Sequence, residues 1–344
     1  MNTKRYLLFL AALLSFSLSL SSCSTTDAPP DGKNPIGERK LFVVNEGGFG
    51  KGNASIDVFN YTDSVYTAGV KVKIGDVAND IQLIDGKLYV TLNGSSKLIA
   101  YDTALTVGTS IQFSAGMAPA RIIKTADGEA MMTSLYTDTV YVIDTKVGTI
   151  KYRVKVAGGT RGLAALGGNA YIANAANGVT VINTNTRSVT EVQNLATTPY
   201  EVIADSARGA LLLVGVGNFS PALPCDLVWV KESDRTVISK ITLPATDYFG
   251  SLYPTVVAKN KVYLLLGNRV AAVDMATRTI ANDSFIPKAY YGGIYDAKRD
   301  ELILGDAKDF QNNGAVDVYD AATGKLKKSY IAGVAPAHFY IYQK

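Results

Sequence analysis

The chain has 344 residues, a formal net charge of +4 and 47% hydrophobic residues, which is enough for a large buried core. Residues 1–22 contain two basic residues, Lys4 and Arg5, and no acidic residue, so the remaining chain has a formal net charge of +2. This small charge argues against nucleic acid as a partner. A single histidine, His338, excludes metal centres built from several histidines.

The first 22 residues have the pattern of a signal peptide. Lys4 and Arg5 precede an apolar stretch, residues 7–20, that is too short to span a bilayer as a mature helix. The stretch ends in Leu-Ser-Ser-Cys, which resembles a bacterial lipoprotein signal and implies cleavage before Cys23 and lipid attachment to it. An ordinary secretory signal followed by an incidental cysteine is the alternative.

Residues 23–39 are rich in Pro, Ser, Thr and Asp and predict a flexible tether behind the lipid. By resemblance to lipoproteins, Ser24 after the cysteine implies the outer membrane, and Asp27 and Asp31 favour exposure to the cell exterior. Because Cys23 carries the lipid in this interpretation, Cys225 is left alone and an intramolecular disulfide is excluded.

One unit recurs through residues 40–344: an apolar strand, a turn, a second strand, a short gap and a third strand ending in Asp or Asn. It is clear in "DIQLIDGKLYVTLNGSSKLIAYD" (80–102) and in "RIIKTADGEAMMTSLYTDTVYVID" (121–144). Four strands in about 40 residues is the period of a β-propeller blade. The sequence therefore predicts one all-β domain, a seven-bladed propeller, with units in register at Ile81, Arg121, Gly162, Glu201, Thr255, Gly292 and His338.

The seventh unit is divided between the two ends of this domain. "HFYIYQK" supplies its first strand, and "LFVVNEGGFGKGNASIDVFN" supplies its second and third strands, so that the ends share one blade and close the ring. The glycine cluster "EGGFGKGN" matches neither a dinucleotide-binding loop nor a P-loop. It is predicted to join the second and third strands of this closing blade.

Loops that lead into first strands and loops that join second to third strands open on one face of a propeller, here called the candidate face. The three longer second-to-third loops, 45–53, 217–226 and 306–313, each contain one Phe. Exposed aromatics beside short polar residues are typical of a binding surface. The sequence therefore predicts a small-molecule site on this face, with candidate residues Asn45, Glu46, Phe49, Asp80, Arg121, Arg161, Tyr200, Glu201, Phe219, Tyr248, Phe249, Tyr253, Tyr290, Tyr291, Asp306, Phe310 and His338.

Enzyme chemistry has weak support in the sequence. A Ser-His-Asp triad would require His338, and no G-x-S-x-G motif accompanies it. Asp80, Glu201, Asn45 and Glu46 would suit a hard cation such as Ca²⁺ if they converged, although nothing in their spacing demands it. We expect no catalytic residues, no metal site and no resident cofactor, with a propeller hydrolase or lactonase as the less favoured alternative.

Residues 40–344 resemble the YncE-like propeller lipoproteins of Gram-negative anaerobes, on the segments "LFVVNEGGFGKGNASIDVFN", "KLYVTLNGSSKLIAYD" and "APAHFYIYQ". Within that group the chain looks most like the BtuG type, which captures vitamin B12. This resemblance implies a corrinoid as the bound ligand, delivery to a BtuB-like TonB-dependent transporter, and a protein that is monomeric by itself. A glycan- or peptide-binding accessory lipoprotein of another uptake system remains open.

Overall fold

A computed structural model describes residues 39–62, 65–174 and 178–344, without the side chains of residues 61–70 and of Phe219. The predicted signal peptide, the tether up to residue 38 and Cys23 lie outside the described residues. Short β-branched and aromatic runs form the strands, and turn residues separate them. Asp85 and Gly86, for example, have φ of 48° and 78° and form the tight turn between paired residues Ile84 and Lys87.

The strands form seven four-stranded sheets in the described chain. The chain begins with three strands of the closing blade, β1 (Arg39–Asn45), β2 (Ala54–Thr62) and β3 (Val65–Gly75). Blade 1 contains β4 (Ala78–Ile84), β5 (Lys87–Leu92), β6 (Lys97–Tyr101) and β7 (Val107–Gln112). Blade 2 contains β8 (Pro119–Ala126), β9 (Glu129–Ser134), β10 (Thr139–Asp144) and β11 (Thr149–Lys155). Blade 3 contains β12 (Thr160–Leu166), β13 (Asn169–Asn174), β14 (Gly178–Asn183) and β15 (Val189–Val192).

Blade 4 carries an inserted hairpin, and a 3₁₀ turn (Ser206–Arg208) follows its first strand. It contains β16 (Pro199–Asp205), β17 (Ala210–Gly215), the hairpin β18 (Asn218–Phe219) and β19 (Ala222–Leu223), then β20 (Asp226–Lys231) and β21 (Val237–Thr242). Blade 5 contains β22 (Thr255–Ala258), β23 (Lys261–Leu265), β24 (Val270–Asp274) and β25 (Thr279–Ile286). Blade 6 contains β26 (Gly292–Asp296), β27 (Glu301–Asp306), β28 (Asn313–Asp320) and β29 (Leu326–Val334), and β30 (Pro336–Gln343) ends the chain.

The closing blade has the strand order β3-β2-β1-β30, so the last strand is its innermost and the first three strands complete it. β30 pairs antiparallel with β1, for example through Phe42 with Tyr340. The predicted seven-bladed, all-β ring closed by both ends of the domain is thereby confirmed, and the glycine cluster does join the second and third strands of the closing blade.

The hydrophobic core is divided among the blade interfaces. One apolar cluster lies between each neighbouring pair of blades, such as the one that joins blades 4 and 5 around the fully buried Trp229. Inner strands that pack on both faces have nearly continuous apolar sequences, as in β17, where every residue is buried. Within the described chain, no helix has the length and apolarity needed to cross a bilayer.

Most innermost strands carry an irregularity at the end that opens on the candidate face. The pairing register shifts there in blades 1, 2, 3, 4 and in the closing blade, whereas blades 5 and 6 pair without a shift. The bulged positions include Asn79, Arg121, Arg161 and Tyr200. A bulge turns a side chain out of the regular alternation of the strand. The repeated bulge therefore brings polar side chains together at this end of the ring.

Candidate functional site

An ion network joins three blades around the central channel on the candidate face. The guanidinium of Arg121 on β8 donates to Asp80 Oδ1 at 3.2 Å and to Glu201 Oε1 at 3.1 Å. Glu201 also accepts the hydroxyl of Thr255 at 2.7 Å, and Asp80 also accepts the backbone N–H of Ile122 at 2.9 Å. Arg121 thus lies between the two carboxylates, which the sequence had also suggested as ligands of a hard cation. In the described part of the chain, no group of three or more His, Cys, Asp or Glu is placed to bind a metal.

The loop between blades 4 and 5 crosses the channel. The ring of its Tyr253 lies under Arg121, with 3.7 Å from the ring centroid to Cζ, and meets the ring of His338 on β30 edge-on at 5.7 Å. Its Leu252 packs with a small apolar cluster of blade 2 that includes Leu135. One loop therefore contacts blade 2 and the closing blade from the far side of the ring. Burial raises the pKa of the Tyr253 hydroxyl.

A chain of contacts leads from the channel to the rim. His338 Nε2 lies 3.4 Å from Glu46 Oε1, and the other carboxylate oxygen of Glu46 accepts the hydroxyl of Tyr291 at 2.8 Å. The ring of Tyr291 packs edge-on against Phe310, with 4.8 Å between centroids. Burial, followed by the negative charge of Glu46, raises the pKa of Tyr291. A continuous series of side-chain contacts therefore connects the buried channel residues to the exposed rim.

A cleft of about 360 Å³ opens on the candidate face between blades 5 and 6. Tyr248 forms one wall, with its ring against Gly267, where an added Cβ would lie 2.1 Å from a ring atom. Tyr291 and Phe310 also line the cleft, together with Asp306 and Lys308. The cleft lies between blades 5 and 6, whose innermost strands lack the bulge, and loops of these two blades line it.

The exposed aromatic side chains of the described surface all lie on the candidate face. Among the described side chains they are Phe49, Tyr136, Tyr248 and Phe310, with exposed fractions of 84%, 72%, 54% and 47%. The first, second and fourth lie on second-to-third loops, and Tyr248 lies on the loop between blades 4 and 5. Large hydrophobic side chains exposed elsewhere on the described surface are aliphatic.

The glycine loop holds a carboxylate of the protein itself. The backbone N–H groups of Gly50 and Gly52 donate to the two carboxylate oxygens of Asp76, at 3.0 and 3.3 Å. Both glycines have positive φ, 71° and 59°, which turns their two N–H groups toward the same carboxylate. This arrangement fixes the loop against the start of blade 1 and presents Phe49 at its tip.

Several predicted residues are engaged within the fold. The amide of Asn45 is buried and donates to Ser55 Oγ and Asp57 Oδ2 in its own blade. Phe249 packs partly buried in the core between blades 4 and 5, although its neighbour Tyr248 faces the cleft. Tyr290 is buried, and its hydroxyl lies 2.6 Å from an oxygen of Asp317.

The remaining predicted residues lie near the rim. Arg161 donates to the carbonyl of Leu135, and its Cζ lies 5.2 Å from the ring centroid of the half-buried Tyr200. Asp306 pairs with Lys288 at 2.7 Å. Phe219 lies in the inserted hairpin of blade 4, and its side chain is outside the description.

Sequence reasoning missed two apolar residues of the candidate face. Tyr136 lies on the short second-to-third loop of blade 2, and Leu223 lies in the inserted hairpin with 47% of its surface exposed. Tyr136 had a readable signal, since "LYTD" interrupts the repeat where a short polar turn is expected. Leu223 had none, because its hairpin is an insertion in the repeat.

Comparisons with other proteins agree on the fold. AztD from Citrobacter koseri is 10% identical, with a TM-score of 0.61 over 90% of this chain and 99% of that chain. Apo AztD from the same organism is also 10% identical, with a TM-score of 0.61 over 89% of this chain and 98% of that chain. The dihydro-heme d1 dehydrogenase NirN in complex with DHE is 12% identical, with a TM-score of 0.58 over 91% of this chain and 76% of that chain.

No curated protein matches the sequence significantly. Identities of 10 to 12% to the solved structures show the fold alone. A family model described as "Domain of unknown function (DUF5074)" matches residues 39–340, which is nearly the whole propeller. The chain belongs to the DUF5074 family.

Proposed function

We propose that this protein is a lipid-anchored propeller that captures a corrinoid on the candidate face and delivers it to a BtuB-like TonB-dependent transporter. The observation that carries the proposal is the confinement of the exposed aromatic side chains of the described surface to this one face. Exposed aromatic residues gathered on one face of a protein are typical of a ligand or partner site.

The cleft indicates how a large ligand would bind. Ligand pockets commonly measure about 300 to 1,000 Å³, and the cleft, at about 360 Å³, is at the lower end of that range. A ligand as large as a corrinoid would place one part in the cleft and rest the remainder on the surrounding loops. Tyr248 and Phe310 would then contact the apolar ring edges, and polar residues would meet the peripheral amides.

The state of the acidic residues supports binding over catalysis. Asp80 and Glu201, the buried carboxylates nearest the channel, are both paired with Arg121. Glu46 is occupied by Tyr291 and lies beside His338. Carboxylates held in this way are poorly placed to exchange protons with a substrate.

The proposed location and partner rest on the sequence. The Leu-Ser-Ser-Cys motif supports a lipid on Cys23, and Ser24 supports the outer membrane, with the propeller facing the cell exterior. A monomeric capture protein in this position would pass its ligand to a TonB-dependent transporter in the same membrane.

A calorimetric titration of residues 37–344 with cyanocobalamin tests the proposal. These residues form one compact unit and contain every strand of the ring, so they are expected to fold by themselves. We expect a dissociation constant below the micromolar range, weakened at least about 100-fold in the double variant Tyr248→Ala, Phe310→Ala, since truncating a central aromatic contact costs about 2 kcal/mol or more.

Ile331→Ala is the matched control, because it removes a large side chain that is 77% exposed on the outermost strand of blade 6. Its affinity should equal that of the unsubstituted protein. Absence of cyanocobalamin binding would overturn corrinoid capture. A panel of oligosaccharides tested on the same variants would then show whether the aromatic residues bind sugars.

A further inference from the structure

Three buried polar residues near the channel carry side-chain atoms that are not hydrogen-bonded to any described residue. Asn79, Tyr253 and His338 are 1%, 5% and 6% exposed, so each side chain is more than nine-tenths buried. Both polar atoms of the Asn79 amide, the Tyr253 hydroxyl and His338 Nε2 lack a hydrogen-bond partner among the described residues. The 3.4 Å between His338 Nε2 and Glu46 Oε1 exceeds the usual N–H···O range of about 2.7 to 3.2 Å.

These three residues belong to one end of the channel. Tyr253 and His338 are in ring contact, and Arg121 links Tyr253 to Asp80, the residue that follows Asn79 on β4. Leaving a buried donor or acceptor unpaired costs about 1 to 3 kcal/mol, so native structures seldom retain several together. Their occurrence together at the channel end indicates a position suited to a polar group of a ligand.

The surrounding charges restrict the chemistry of that group. Glu46, Asp80 and Glu201 supply three formal negative charges, against two positive charges from Arg121 and Arg161. The excess of negative charge disfavours a carboxylate or phosphate. An amide such as that of Asn79 offers both a donor and an acceptor, which is complementary to a group that offers both in return.

We propose that the channel end formed by Asn79, Tyr253 and His338 is a subsite for a neutral carboxamide group of the ligand. This inference rests on the proposed function only in taking the candidate face as the ligand face, and it assigns to the channel the amides that a corrinoid carries at its edge. Because solvent does not reach the unpaired atoms, binding displaces part of the loop 250–254, which forms no strand within that segment.

The test uses residues 37–344 and two matched small probes, propionamide and propionate, observed by saturation-transfer NMR. We expect propionamide to bind in the millimolar range and propionate at least tenfold more weakly. Tyr253→Phe removes one hydroxyl and should weaken propionamide binding about fivefold, since one hydrogen bond contributes about 1 kcal/mol. Asn79→Leu should abolish propionamide binding.

Tyr342→Phe is the control, because Tyr342 lies at the other end of β30, where it pairs with Lys40, and loss of its hydroxyl should leave propionamide binding unchanged. Tyr253→Phe should fold normally, because the hydroxyl that it loses has no hydrogen-bond partner among the described residues. An unchanged urea midpoint of unfolding would verify that the variant is folded. Equal binding of the two probes, no binding of propionamide, or unchanged binding by Tyr253→Phe would each overturn the subsite. If cyanocobalamin fails to bind while propionamide binds as expected, the corrinoid proposal falls and the subsite stands.

Discussion

The guanidinium of Arg121 lies 3.7 Å from the ring centroid of Tyr253, and the two residues come from blades on different sides of the channel. The same guanidinium pairs with Asp80 and Glu201, whose side chains are 2% and 9% exposed. Arg121 therefore holds together blades 1, 2 and 4 and the loop that precedes blade 5, so its loss should affect the ring beyond its own blade.

Replacing Arg121 with Met should lower the free energy of unfolding by about 3 kcal/mol, because it leaves two buried carboxylates without their cation. Urea unfolding measures this difference. Lys146→Met, which breaks an exposed pair with Asp127, should change stability by less than about 0.5 kcal/mol. Adding Glu201→Gln to Arg121→Met should recover part of the lost stability. If Arg121→Met and Lys146→Met changed stability equally, Arg121 would not hold the ring together as described.

Removing residues 336–344 should abolish cooperative unfolding. Without β30, the edge of β1 is unpaired and the apolar clusters on both sides of the closing blade lose buried residues such as Phe339. Thermal unfolding followed by circular dichroism is the measurement. Removal of the exposed Gln343 and Lys344 alone should leave the transition unchanged.

Gly292→Ala should lower stability by about 2 kcal/mol or more. A Cβ at this position would lie 1.8 Å from the carbonyl oxygen of Ala337, so β26 and β30 would have to separate. Gly250→Ala is the control, because its added Cβ meets no atom within 4 Å and its φ is not in the left-handed region. A urea midpoint for Gly292→Ala that equals that of the control would show that the interface can relax.

The Cys225 thiol should react slowly in the folded protein. Burial, together with the negative charges of Asp226 and Asp247, raises its pKa to about 11. At pH 8 a thiol with this pKa is about 0.1% ionised, against about 10% for a thiol with the reference value of 9.0, and the thiolate is the reactive form. Alkylation of residues 37–344, in which Cys225 is the single cysteine, should therefore be at least about 100-fold slower than in urea. Similar rates in both states would place the thiol at the surface.

Acid should loosen the loop that carries Phe310. Backbone N–H groups of Asn312 and Gln311 lower the pKa of Asp309 to about 2, from a reference value of 3.8. Because the folded pKa is the lower one, the stabilisation is present above 3.8 and is lost as the pH falls through about 2. Carboxyl ¹³C NMR should report this titration, with a parallel change in the Phe310 ring signals. In Asp309→Ala the ring signals should not follow that titration.

The repeat made the fold predictable because each blade repeats the same alternation of apolar strands and polar turns. The strand order of the closing blade followed as well, since two incomplete units at the ends of one domain can complete each other. The placement of Tyr253 and His338 near the channel could be expected from their position at the start of a unit.

The directions of side chains on the candidate face could not be predicted from the sequence repeat. Tyr248 and Phe249 are adjacent aromatic residues, yet one faces the cleft and the other enters the core, which depends on the path of a loop without periodicity. The pairing of Arg121 with two carboxylates depends on contacts between residues 41 and 80 positions apart. A repeat predicts that such residues share a ring but does not fix which of them pair.

The ion pair between Arg39 and Asp296, 2.5 Å long and buried, has a consequence for orientation. Asp296 ends β26 at the turn into β27, on the face opposite the cleft, and β1 runs from Arg39 toward the candidate face. The chain therefore joins the ring from behind the cleft. The start of β1 and its buried ion pair are therefore fixed on the side of the ring away from the aromatic loops.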